Sequence, residues 1–503
     1  MATITTIDPI SRLEGHLKVD ISVDLVNGKP QVVDAWASGT LFRGFETLLI
    51  DRAPWDAQHI TERICGVCPV SHGMAAVLAL DKAANITVPT NGRLMRNLVA
   101  AANFIDSHIL HFYHLSLPDF VDGPDMPPWT PKWSVDKRLS ASESATYVNH
   151  YVAALDMRRK AHEMGALFGG RFPHPPAFIP GGMTTTPRAA RIATARNYLN
   201  ELIPFIRDVY LPDAEALAGT YSDYYTIGAG PKNLMSYGIF ELDNPGTSWL
   251  LTRGRIENAS SSVQAINTGS IAEQVTHSWY SERTNNLNPA SGRTLPQYPK
   301  DGAYSWIKSP RYNGLAYEAG PLSRMWINGD YRRGISVADR MVSRAYETLK
   351  IALACSDWLD QLVSAAPVQT PNAKPTNATS YGLTEAPRGA IGHWVQIANS
   401  KISRYQVITP TCWNASPRDS TGQRGPLEQA LIGTPVANIA EPQEVVRVIH
   451  SYDPCLACAV HVMRPDEGVR IFSLGHFHGG DQVAVHAHDG REHSHDHGHG
   501  HSH

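Results

Sequence analysis

The chain has 503 residues, 42% of them hydrophobic and 18% charged, with a formal net charge of -3. This is an ordinary globular balance with room for a large core, and it gives no case for nucleic acid or an anionic membrane surface as partner. No apolar run is long enough to span a bilayer, and the opening "MATITTIDPISRLEGH" lacks the basic and apolar regions of a signal peptide.

Taken in chain order, residues 16–36 come first with strict alternation. Leu17, Val19, Ile21, Val23 and Leu25 face one way, and Asn27-Gly28 supplies a tight turn, which predicts a β-hairpin. Helical signals then dominate. Residues 95–116 are apolar nearly all round and predict a buried helix. Residues 144–168 set Val148, Tyr151, Val152, Leu155 and Leu167 on a helix that stops at Gly169-Gly170. Residues 188–222 read as a helix interrupted by Pro204 and Pro212. Residues 336–365 start at Ser336, a favoured N-cap, and bring Val337, Met341, Leu349, Ala352, Leu353 and Leu359 close to one stripe. Loops rich in Pro, Gly and Trp cover 121–137, 169–187 and 284–312, and 366–379 reads as a linker or surface crossing. The expected fold is mainly α with smaller β regions, an α+β multilayer: a central bundle of long helices with an N-terminal β-hairpin or sheet.

Six cysteines occur, at 65, 68, 355, 412, 455 and 458, too few for a disulfide framework in so long a chain. Four fall into two Cys-x-x-Cys pairs, "ERICGVCPVSH" and "DPCLACAVH". Thiolates suit Zn, Fe–S clusters, Ni or Cu(I), and a single pair also fits a thioredoxin-like redox turn. Zinc modules place their pairs about 15–20 residues apart. Here Cys68 and Cys455 are 387 positions apart. The site must therefore lie where the two ends of the fold meet.

These motifs resemble the two signatures of [NiFe]-hydrogenase large subunits. "RLEGH", "GTLFRGFE", "SHILHFYHL", "FGGRFPHP", "GAYSWIKSPRY", "APRGAIGHW" and "PTCWNASPRD" resemble further blocks of that family, in the family's order, over nearly the whole chain to His461. The form "CPVSHGMA" and the short N-terminus resemble most the cytosolic, cyanobacterial-type uptake group. The resemblance implies the nickel-dependent hydrogenase large-subunit fold and an enzyme that oxidises H2 heterolytically at a Ni–Fe centre, with carbon monoxide and cyanide on the iron.

It implies Cys65 and Cys455 as terminal nickel ligands, and Cys68 and Cys458 as bridges from nickel to iron. Arg388 would stand over the open side of the metals and donate to a cyanide, a task for a rigid fork that cannot lose its proton. By itself, an arginine between proline and glycine reads as a surface turn. Thr411 would hydrogen-bond the other cyanide. Cys412, where threonine is usual, is read as a small buried residue. Glu14 resembles the proton-relay glutamate beside Cys455. Glu46, the carbonyl of Val407 and His461 would hold a magnesium ion or a second iron ion. His72 resembles the histidine that hydrogen-bonds near a bridging sulfur, and Asp453 would lie just outside the metals. Some members carry an acid next to the histidine matched by His108; this chain has Ser107 there, with Asp106 beside it.

Only Cys355 and Cys412 are left over, so electrons must pass to another polypeptide. The resemblance implies an iron–sulfur small subunit docked near Cys65–Cys68, with higher oligomers of that heterodimer open. It also implies nickel-insertion chaperones and a maturation endopeptidase that cuts His461–Val462. Residues 1–461 would be a single catalytic unit, and 462–503 a removed extension with a histidine-rich, disordered end. The expected location is cytoplasmic, at most on the cytoplasmic face of the membrane. Three other readings compete. A hydrogen-sensing regulatory large subunit would carry the same metals. The quinone-site subunit of respiratory complex I lacks the cysteine pairs. A metal-storage or metal-chaperone protein, suggested by the tail, leaves the other blocks unexplained.

Overall fold

The computed structural model describes residues 3–456 except 131, 134, 135 and 245. An antiparallel sheet of β1 (Thr3–Ile7), β2 (Leu17–Val26) and β3 (Lys29–Gly39) opens the chain. Asn27 and Gly28 join β2 to β3 with φ of 53° and 76°, the left-handed pair that a two-residue hairpin turn needs. Leu17, Val19, Ile21 and Val23 are buried as the alternation predicts. Leu25 departs from it and is 67% exposed, because the register shifts between Ser22 and Val23 and the tip overhangs the core. The first strand, "TITTI", is β-branched enough to have been read from sequence.

The helical layer is built on α1 (Pro69–Ala83), α2 (Thr90–Ile109), α3 (Ala141–Gly169), α4 (Ala189–Phe205), α5 (Leu211–Thr220) and α6 (Val337–Gln361). Helices α2 and α6 pack together at the centre; α3 covers α2, and α4 and α5 cover α6. The all-apolar run 95–116 is buried as expected, and it ends in a wide π-helical turn, Leu110–Ser116. Ser140 caps α3 through a capping box with Glu143, and Gly170 ends it at φ 79°. Val152 and Leu155 are exposed, because α3 turns Tyr147, Ala154, Ala161, Met164 and Phe168 inward instead. Leu353 on α6 is exposed as well. The interruption expected at Pro204 and Pro212 takes the form of a second π-helical turn, Ile206–Tyr210, so the helix runs on through both prolines. Ser336 caps α6 by accepting from the Asp339 N–H. Residues 366–377 of the expected crossing are irregular, with the Val368 carbonyl accepting from the Met183 N–H and the Thr370 N–H donating to the Gly181 carbonyl, and 378–379 already belong to a strand.

A second antiparallel sheet sits against α1: β4 (Ala378–Ala386), β5 (Gly389–Ala398) and β6 (Lys401–Ile408). Pro387 and Arg388 alone form the β4–β5 turn. Gly389, at φ 135°, ends that turn where a Cβ would come within 2.7 Å of Ala319, so no side chain fits. Helix α7 (Gln443–Ser451) then feeds Asp453, Cys455 and Leu456 into the core.

Candidate metal centre

Both ends of the chain meet at three buried thiols. Cys65 ends a short turn, Glu62–Ile64, and Cys68 is the N-cap residue of α1, where the macrodipole favours negative charge. Cys455 lies four residues beyond α7. Cys65 Sγ is 3.2 Å from Cys68 Sγ and 3.4 Å from Cys455 Sγ, and all three sulfurs lie within 4.8 Å of one another. The backbone N–H groups of Val67 and Cys68 both point at Cys65 Sγ.

Glu14 reaches this cluster from the loop after β1. The Cys455 thiol donates to Glu14 Oε2 across 3.1 Å, and the Glu14 carbonyl accepts from the Leu456 N–H at 2.7 Å. A main-chain bridge thus fixes the carboxylate against the sulfur. Thr411 accepts from the Cys455 N–H at 3.0 Å.

Arg388 sits in a turn, as its flanking residues suggest, but the turn is buried and the residue only 2% exposed. Burial disfavours its charge. Asp453 and the sulfurs of Cys455, Cys68 and Cys65 more than offset that, so the guanidinium stays charged. Arg388 Nη2 lies 3.0 Å from Asp453 Oδ1 without hydrogen-bond alignment, and Nη1 reaches Ser107 Oγ at 3.4 Å. Among the described residues, Nε and Nη2 have no hydrogen-bonded acceptor. A buried cation with idle donors beside three thiols fits a metal centre whose own ligands can accept. Asp106 plays no such part: it pairs with Arg158 and His162. His108 pairs with Glu347 at 2.8 Å.

Glu46 lies against β6, where its Oε1 accepts from the Val407 N–H at 2.8 Å and its Oε2 from Thr294. Sequence reasoning missed the rest of this cluster. Lys308 Nζ lies 3.7 Å from Glu46, 3.4 Å from Glu273 and 2.9 Å from Gln406 Oε1. Burial pushes the Glu273 carboxyl up to about 7 against the pull of Lys308, with Glu46 adding to the rise. The available signal was Lys308 inside the block "GAYSWIKSPRY". His72 is fully buried and meets His393. Cys412 is buried, and burial pushes its thiol up to about 11. Among the described residues the thiol set is Cys65, Cys68 and Cys455. Cys458, His461 and Val462 lie outside the described residues.

A family model described as nickel-dependent hydrogenase matches residues 43–127, 125–334 and 328–461, and one described as HoxL-like matches 4–31. The periplasmic [NiFeSe] hydrogenase large subunit of Desulfomicrobium baculatum is 40% identical over 499 residues, 92% of this chain and 96% of that protein. The hydrogenase-2 large chain of Escherichia coli is 32% identical, covering 93% of this chain and 98% of its own. The Ni-Fe-Se hydrogenase of D. vulgaris Hildenborough, in the as-isolated oxidized state, matches with a TM-score of 0.88 at 41% identity, over 92% of this chain and all of that one. These relatives correct the cytoplasmic, cyanobacterial-type assignment, because a relative matching nearly end to end is periplasmic. That assignment rested on the form "CPVSHGMA" and on a reading of the N-terminus, and neither outweighs so extensive a match. The helical core, the β4–β6 sheet and the buried thiols are those of a catalytic large subunit, and the chain belongs to the nickel-dependent hydrogenase family.

Proposed function

We propose that this subunit oxidises H2 heterolytically, in the uptake direction, and passes the electrons to an iron–sulfur small subunit. One observation carries the reading: a carboxylate 3.1 Å from a sulfur within a buried three-thiol cluster, beneath a charged arginine. The uptake direction is supported by the uptake hydrogenase large subunit of Bradyrhizobium diazoefficiens, 33% identical over 92% of this chain.

Cys65, Cys68, Cys455 and Cys458 would hold the Ni–Fe pair, with carbon monoxide and cyanide on the iron. When bound, that group supplies the electrophile that polarises H2 and accepts its electrons. The chain handles the proton. Cys455 Sγ is the nearest base, and Glu14 Oε2 is close enough to take the proton from it directly. Glu14 is partly exposed whereas Cys455 is buried, so the transfer leads outward. Arg388 would donate from Nε and Nη2 to a cyanide, and the Thr411 hydroxyl would donate to the other. Asp453 holds the guanidinium in place. Glu46, Glu273 and Lys308 sum to one net negative charge when both acids are ionised. That suits a magnesium ion or second iron ion, held by Glu46, the Val407 carbonyl and His461.

Residues 1–461 form the working unit in this reading, and a maturation endopeptidase removes 462–503 once nickel-insertion chaperones have loaded the metal. Residues 453–456 are buried, which supports a need for access before closure. Infrared spectra of the purified heterodimer should show the carbon monoxide and cyanide stretches, and intact mass should place the end of the large subunit at His461. A spectrum without those bands rejects the metal assignment; active enzyme retaining His503 rejects the processing.

A further inference from the structure

The His72 side chain does not act alone. His72 Nδ1 lies 3.2 Å from His393 Nε2, and His393 Nδ1 lies 2.8 Å from the Tyr405 hydroxyl. His72 comes from α1, His393 from β5 and Tyr405 from β6, and all three are buried. His393 pairs across the sheet with Val407, so Tyr405 is its diagonal neighbour on the same face, within reach of two aromatic rings.

The direction of this chain follows from what each group can do. A phenol carries one proton, and a buried O–H needs an acceptor. Among the described residues, the Tyr405 hydroxyl has His393 Nδ1 as its hydrogen-bond partner and no other. Tyr405 therefore donates, and Nδ1 of His393 is an acceptor. A neutral imidazole with its lone pair on Nδ1 carries its proton on Nε2. That proton points at His72 Nδ1, which must then be an acceptor in turn. The proton of His72 is left on Nε2. Both rings are therefore neutral, since a ring that accepts at Nδ1 carries its single proton on Nε2. His72 follows Cys68, the N-cap residue of α1, by four positions, about one helical turn, so the two lie on the same side of the helix.

We propose that Tyr405 and His393 are positioning residues that lock His72 in the Nε2–H tautomer, so that it presents a donor, not a lone pair, to the thiolates that hold the metals. This rests on the metal-site reading above. A lone pair there would repel a thiolate; an N–H stabilises its charge and weakens its donation to the metal. The electron density at the metals is thereby set from β6, through two hydrogen bonds.

The test uses the purified, metal-loaded heterodimer. Tyr405→Phe keeps the ring and removes the O–H that sets the direction, so both tautomer chains become accessible. The carbon monoxide and cyanide stretches should shift or split. Hydrogen oxidation should fall about ten- to a hundred-fold, the range for lost support of a metal's ligands, at unchanged nickel and iron content. His393→Leu should do the same. His393→Gln, whose amide can accept from Tyr405 and donate to His72, should restore the wild-type band positions in part. Unchanged bands in both Tyr405→Phe and His393→Leu overturn the inference and leave the metal site standing. So does loss of metal with unchanged bands in the loaded fraction, since that marks a purely structural role. Wild-type heterodimer without these bands overturns the metal-site reading itself.

Discussion

Glu14→Gln should cut turnover by orders of magnitude without disturbing the metal site. The amide keeps the size of the side chain, and the main-chain bridge from the Glu14 carbonyl to the Leu456 N–H does not depend on the side chain. What disappears is a group that can take a proton from Cys455 Sγ at 3.1 Å. A positioned acid–base group contributes about 10²–10⁴-fold, so hydrogen oxidation and hydrogen–deuterium exchange should both fall by that order. Nickel content and infrared band positions should match wild type. Glu14→Asp retracts the carboxylate by one methylene and should fall between the two. Full activity in Glu14→Gln would remove the side chain from the proton path.

Arg324→Met should give the largest loss of stability. Arg324 is fully buried and uses its guanidinium completely: Nε and Nη2 grip Glu347 at 2.8 and 2.6 Å, and Nη1 binds Glu385 at 2.7 Å. It also donates to the carbonyls of Ala386 and Pro387, the turn that presents Arg388. Removing it deprives two buried carboxylates of their guanidinium partner, and deleting one partner of a buried pair costs about 3–5 kcal/mol. The check is the midpoint of denaturant unfolding and the thermal inactivation half-life. Arg324→Lys keeps the charge but not the fork, and should recover only part of the loss. The wild-type contribution also has a pH window. Burial opposes ionisation of Glu347, but Arg324 and His108 outweigh it and bring the carboxyl down to about 2 from an ordinary 4.5. A depressed acid stabilises the fold above its unfolded value, and the effect fades as pH falls from about 4.5 toward about 2. That acid-dependent step should be absent in Glu347→Gln.

The thiols, Glu14 and Arg388 were legible in sequence because short blocks carry them: a Cys-x-x-Cys turn, "RLEGH" and "APRG". The long helices were legible from apolar spacing and from Ser336. What stayed hidden depends on pairing between distant segments. The β4–β6 sheet holds Arg388, His393, Tyr405 and Val407 in fixed relation, yet its strands are buried on both faces and show little alternation. Lys308, Glu273 and Gln406 come from three separate segments, so no local spacing could join them. Val152 and Leu155 looked like core residues because periodicity names a face of α3 without saying which neighbour covers it.

The joining of Glu14 and Cys65 to Cys455 also sets a clock. Chains grow at about 5–20 residues per second, so on the order of 20–80 s separate the emergence of the first thiol pair from that of Cys455. Throughout that interval the nascent polypeptide displays two thiols with no third to close the cage, a site open to whichever soft ion is at hand. Neither the sulfur beside Glu14 nor the backbone bridge that aligns it exists until Cys455 has emerged. Metal committed after that moment goes only to chains that carry Cys455, and a ribosome that stops before it releases a product that cannot gather the three thiols.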